Sequence, residues 1–103
     1  MKVNTHDVYA ALSSPVRRKI LSLLREQAMS AGDIADHVAI SKPTLSGHLN
    51  VLKQAELVTV ERQGTRLLYR INLSAAEEAL SGLMELFQLT SLSRTPLDGE
   101  KIK

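Results

Sequence analysis

Between Ser41 and Leu52 the chain puts Lys42, Thr44, Ser46, Gly47 and Asn50 on one side of a helical period and Leu45, Leu49 and Leu52 on the other. The first set is small, polar and rich in hydrogen-bonding groups. Ser and Thr hydroxyls bond to several base edges and Lys42 reaches guanine or phosphate, so such a face suits contact with a DNA groove. Gly47 lowers helix propensity by about 1 kcal/mol relative to Ala, a cost that helix stability does not explain. The bland alternative is a loosely specified surface helix. A second group capable of chemistry is Arg62 and Arg66, which flank Gln63-Gly64-Thr65 and suit phosphate or minor-groove contact.

The elements that must hold these residues are legible around them. Ser41 is a good N-cap and Pro43 is tolerated in the first turn, so the reading helix starts there. The preceding segment opens Ser30-Ala31-Gly32-Asp33 as a capping box, carries Ile34, Ala35 and Val38, and reaches Ile40 before the next cap. Ala35 is the small residue that two crossing helices need, and the pair has helix-turn-helix spacing, with Ala39 where the turn frequently has Gly. After Leu52 the period changes to two. Val58, Val60 and Arg62 alternate with Leu57, Thr59 and Glu61, and Leu67, Tyr69 and Ile71 alternate with Leu68, Arg70 and Asn72. That is a β-hairpin whose basic tip forms a wing, with Arg70 as an ordinary solvated residue. The fold class expected is mainly α with a small β-hairpin, a winged helix-turn-helix.

This pattern resembles the ArsR-type family of bacterial winged-helix repressors. The resemblance rests on residues 12–21 (LSSPVRRKIL), residues 40–49 (ISKPTLSGHL) with residues 52–58 (LKQAELV), and the wing from Arg62 to Arg66 with Tyr69-Arg70, and it covers roughly Val8 to Phe87. It implies a homodimeric repressor of a palindromic operator, with Lys42, Pro43, Thr44, Ser46 and Gly47 where the family contacts DNA. Gly47 departs from a frequent His. His48 has two readings, a phosphate contact or a half-buried place beneath the wing. Arg17 or Arg18 touches phosphate at the helix start set by Ser14 and Pro15, or serves packing and ion pairing.

Many members of that family sense metals, and the ligands for it are missing here. The chain has no cysteine, so no thiolate site exists. Residues 74–90 contain no His and only Glu77, Glu78 and Glu85 as acids, and His6, His37 and His48 are scattered. No metal or other cofactor is expected. Nor does the sequence offer paired carboxylates, a nucleophile constellation or a phosphate-cradling glycine loop, which argues against an enzyme.

At 103 residues with a net charge of +2 the chain is one small domain, and its placement of charge matters more than the total. Arg17, Arg18, Lys19 and Arg25 gather in one segment and the last helix is acidic. Ser74-Ala75-Ala76-Glu77 reads as a capping box for that helix, which continues through Ala79, Leu80, Leu83, Met84, Leu86, Phe87 and Leu89. Its apolar surface is too wide for one core. Leu83, Leu86 and Phe87 are therefore expected to meet a second copy together with Val8, Tyr9 and Leu12 of the first helix, the competing reading being a wholly intramolecular core helix. Residues 1–90 are expected to form the DNA-binding and dimerisation domain, and residues 91–103 a polar, flexible tail. No apolar run has membrane-span length and no cleavable signal opens the chain, so a cytoplasmic protein is expected. A symmetric dimer would set two reading helices about 34 Å apart, one turn of DNA, over an inverted repeat. Rival readings are a winged-helix protein-interaction module and a metal-responsive repressor with a non-thiolate site.

Overall fold

Each described helix starts on a short polar side chain that accepts from the first turn, and those caps set the element boundaries. The computed structural model describes residues 4–89. In order the elements are α1 (Thr5–Leu12), α2 (Pro15–Glu26), β1 (Met29–Ser30), α3 (Ala31–Val38), α4 (Lys42–Gln54), β2 (Val58–Gln63), β3 (Arg66–Ile71) and α5 (Leu73–Leu86). Asn4, Ser14, Ser30, Ser41 and Asn72 are the respective helix caps. α3 and α4 form the helix-turn-helix, and the turn takes a left-handed residue at Ala39, φ 56°. The core joins Val8 of α1, Ile20 of α2, Ile34 of α3 and Leu45 and Leu52 of α4, all essentially inaccessible to solvent. Leu45, Leu49 and Leu52 thus bury the stripe that their spacing predicts.

α4 ends in a Schellman motif with Glu56 rather than Gly in the left-handed position, φ 62°. The Leu57 amide donates to Leu52 O at 3.0 Å and the Glu56 amide to Lys53 O at 2.9 Å. Asn72 holds this strained corner from outside: its Nδ2 donates to Glu56 O at 2.9 Å and its amide to Leu57 O at 2.8 Å. The same residue caps α5, since Oδ1 accepts from the Ala75 amide at 3.4 Å. One residue therefore ties the end of the reading helix and the start of the last helix through its side chain, and the root of the wing through its amide.

The wing is an antiparallel pair in register from Val58↔Ile71 to Gln63↔Arg66, closed by the two-residue turn Gly64-Thr65. Gly64 has φ 65° and Thr65 does not share that sign, which is the pattern of a type II′ turn with Gly at its first central position. A Cβ on Gly64 would meet no heavy atom within 4 Å, so the only obstacle to a side chain is the backbone conformation. Gly64→Ala is accordingly expected to cost about 1 to 2 kcal/mol, read as a lowered urea midpoint with unchanged slope. An unaltered midpoint would mean that the turn adopts another conformation.

Three expectations need correction. The hairpin is part of a three-stranded sheet of order β1-β3-β2, with Met29 opposite Tyr69 and Ser30 opposite Leu68. A two-residue strand is too short to carry an alternating pattern. The last helix starts at Leu73 on an Asn72 cap, not on Ser74, because Asn72 is the side chain that reaches the first-turn amide. It also ends at Leu86 rather than running on to Leu89, closed by left-handed Gln88 and by the Leu89 amide donating to Met84 O at 2.7 Å. The tail expected over residues 91–103 lies outside the described residues.

Candidate nucleic-acid interface

With Leu45, Leu49 and Leu52 locked inward, α4 turns Lys42, Pro43, Thr44, Ser46, Gly47 and Asn50 to solvent. The first turn is ordered by Ser41, whose Oγ accepts from the Thr44 amide at 3.4 Å and donates to Thr44 Oγ1 at 2.9 Å. Since the Thr44 oxygen already accepts, its own proton is left to donate outward, for example to N7 or O6 of guanine or O4 of thymine. Gly47 has nothing within 4 Å of an added Cβ. Among the described residues no packing need explains a residue that weakens the helix there.

The wing presents Arg62 and Arg66, both exposed. Arg62 lies opposite Leu67 and has no ion pair among the described residues. Arg66 is 3.5 Å from the Asp33 carboxylate on α3. The capping box expected at Ser30 is therefore only half formed: Ser30 Oγ accepts from the Asp33 amide at 3.2 Å, but the acid turns to the wing. A pair this exposed is worth about 0 to 1 kcal/mol, so it gives way readily to a phosphate. Arg70 pairs with Glu61 through Nε and Nη2 at 3.2 and 3.1 Å, which accounts for it without DNA.

Arg17, read either as a phosphate contact or as a packing residue, has its guanidinium turned to the fold. Its Nε donates to Ala11 O at 2.7 Å and Nη2 to Ala10 O at 3.1 Å, while Nη1 lies 3.0 Å from His48 Nδ1. Three limbs of the guanidinium are thus committed inside the fold. Arg18 Nη1 donates to Leu12 O at 2.7 Å beside it. The physical cause is the end of α1, whose final turn contains no cation of its own: Ala10 O already accepts from the Ser13 amide at 3.2 Å and from Ser13 Oγ at 2.6 Å, and Arg17 adds donors to it and to Ala11 O. His48, half-buried, faces α2 rather than lying beneath the wing. No spacing rule announces this pairing, because the two residues are distant in the chain and α2 and α4 meet only in the fold.

Between α1 and α5, Tyr9 and Leu12 and Leu80 and Leu83, with Leu57 and Ile71 from the root of the wing, line an apolar groove of about 180 Å³. Past its end Leu86 and Phe87 are 69% and 63% exposed, and Leu80, absent from the expected interface residues, is 56% exposed. Leu80, Leu83 and Phe87 follow the i, i+3, i+7 spacing of one stripe, the signal that places Leu80 with the others. Val8 is the exception. At 1% exposure it belongs to the chain's own core and has no surface left for a second copy. Among the described residues no three His, Cys, Asp or Glu side chains converge as a metal site would require. No helix there is long and apolar enough to cross a membrane.

A helix-turn-helix with an exposed polar second helix, followed by a basic two-stranded wing, defines a winged helix-turn-helix domain. Residues 14–60 match the family model described as bacterial regulatory protein, arsR family. The transcriptional repressor SdpR of Bacillus subtilis is 44% identical over 79 residues, 77% of this chain and 88% of the relative. Among solved structures, an ArsR-like transcriptional regulator from Rhodococcus sp. RHA1 superposes with a TM-score of 0.77 at 28% identity, covering 81% of this chain and 76% of the other. A homodimeric winged helix-turn-helix DNA-binding domain from Mycobacterium bovis superposes with a TM-score of 0.66 at 29% identity, covering 89% and 84%. The chain belongs to the arsR family of bacterial regulatory proteins. Its relatives are transcriptional regulators and not enzymes.

Proposed function

We propose that this chain is a homodimeric, sequence-specific DNA-binding repressor that acts by occupying an inverted-repeat operator in the cytoplasm and is not a metal sensor. The observation that carries the reading is the outer face of α4. Among the described residues it is polar, free of internal partners from Lys42 through Ser46 apart from the Ser41 cap, and flattened at Gly47, where the surrounding structure leaves open space. A mid-helix glycine in open space is costly to the chain alone and useful to a helix lying close against base edges. The repressor name of the Bacillus relative and the homodimeric state of the Mycobacterium domain support the same reading. Lys42, Thr44 and Ser46 supply discrimination, with Pro43 and Gly47 close to the bases. Arg62 and Arg66 supply phosphate contacts. Tyr9, Leu12, Leu80, Leu83, Leu86 and Phe87 form the dimer face, and residues 91–103 lie beyond the DNA-binding and dimerisation domain.

Gel-shift titration with an operator selected from random duplexes tests this, run beside unselected DNA and with or without EDTA. Selective, EDTA-independent binding is expected. Binding abolished by EDTA would make the chain metal-responsive, and no shift would favour a protein-interaction module. Within the same assay Arg66→Ala should weaken operator and random DNA alike. It should flatten the plot of log K against log salt by about 0.9 for each phosphate that is no longer neutralised. Weakening confined to the operator would instead make Arg66 a base-reading residue.

A further inference from the structure

The guanidinium of Arg17 touches two elements that have separate tasks. It donates to the carbonyls of Ala10 and Ala11 at the end of α1, the helix that carries Tyr9 and Leu12 toward the apolar groove, and to the imidazole of His48 on α4. We propose that Arg17 is a positioning residue, not a phosphate contact: through His48 it fixes the rotation of the reading helix against the end of α1, so that operator selectivity depends on the pose of the helix bearing the dimer face. The inference rests on the reading that α4 contacts DNA.

The chemistry of the contact defines it. Arginine has only donors, so the contact of Nη1 with His48 Nδ1 at 3.0 Å requires that nitrogen to accept, which it does in the tautomer that carries its proton on Nε2. A planar fork with donors at fixed angles is what allows three acceptors on two helices to be held at once. A lysine in its place keeps the charge but is a single point donor that cannot span them. Ser14 reinforces the arrangement, since its Oγ accepts from the Arg17 amide at 3.2 Å and fixes where α2 begins. His48 in turn is one residue before buried Leu49 and three after buried Leu45, so a rotation at His48 is a rotation of the whole reading face.

The test compares Arg17→Lys, Arg17→Gln, His48→Asn and His48→Phe for binding to a selected operator and to random duplex, each with its salt dependence and its thermal midpoint. Arg17→Lys and His48→Phe should lower the operator-to-random ratio about tenfold, the size of one base contact. The double variant should lose no more than either alone. His48→Asn, whose Oδ1 can accept near the Nδ1 position, should restore most of the ratio. Arg17→Gln should leave the salt slope intact. Long-range nitrogen NMR of the free protein should find His48 in the Nε2–H tautomer, and a tautomer mixture in Arg17→Lys. A slope lowered by about one charge in Arg17→Gln, with Arg17→Lys as selective as the parent, would make Arg17 a phosphate contact and overturn the proposal. Were the parent unable to discriminate between the two DNAs, the reading-helix assignment would fail, while the tautomer measurement, made without DNA, would still judge the clamp.

Discussion

A chain carrying Leu86→Glu and Phe87→Glu is expected to be monomeric and to bind a full operator roughly 10²- to 10⁴-fold more weakly, the range by which two linked modules exceed one. Both side chains are largely exposed in the single chain, and Phe87 sits at the end of α5 as its C-cap, so neither holds the core together. The thermal midpoint of the monomer should change little beyond what dissociation itself removes. Carboxylates on that stripe add like charge across a two-fold interface, where each copy meets itself, and their desolvation is costly. Affinity for a half-site should be nearly unaltered, because neither Leu86 nor Phe87 belongs to α4 or the wing. Sedimentation equilibrium reads the assembly state and the gel shift reads the affinity. A doubly substituted chain that still sediments as a dimer would move the interface elsewhere on the surface.

Thr44→Ala should cost about 1 to 3 kcal/mol per base contact on the operator, and a dimer makes that contact twice. Binding to random DNA should not change. The residue is suited to such a test because its backbone amide, not its side chain, satisfies the Ser41 cap at 3.4 Å. The start of α4 therefore survives the substitution. Thr44→Ser should keep most of the selectivity, since the hydroxyl still accepts from Ser41 and still has a proton to donate. Equal weakening on both DNAs for Thr44→Ala would remove Thr44 from the reading face.

Much of this architecture is visible in the residues alone, and the reasons differ by element. Leu45, Leu49 and Leu52 announce a buried face because their spacing is the helical period, and the wing is legible because its strands alternate and Gly64 marks the turn. Local rules suffice there. What escaped depends on contacts between segments distant in sequence. β1 is two residues long and exists only because β3 pairs with it. Arg17 reads either as a phosphate contact or as a packing residue, and only the fold brings its guanidinium to the carbonyls at the end of α1. Asn72 looks like a strand-end polar residue, and its task of holding left-handed Glu56 follows from a bond that no spacing announces. Val8 and Tyr9 are neighbours of similar apparent role, and only the packing of α1 separates a core residue from a surface one. The exposed apolar stripe of the last helix, on which the proposed dimer face rests, is legible because periodicity counts it directly.

Methylation interference on the selected operator probes the reading helix itself, because guanine N7 lies in the major groove that α4 is proposed to enter. Two symmetric clusters of interfering guanines are expected on one face of the duplex, their centres about 10 base pairs apart. A single cluster, or interference confined to adenine N3 in the minor groove, would refute a paired major-groove reader.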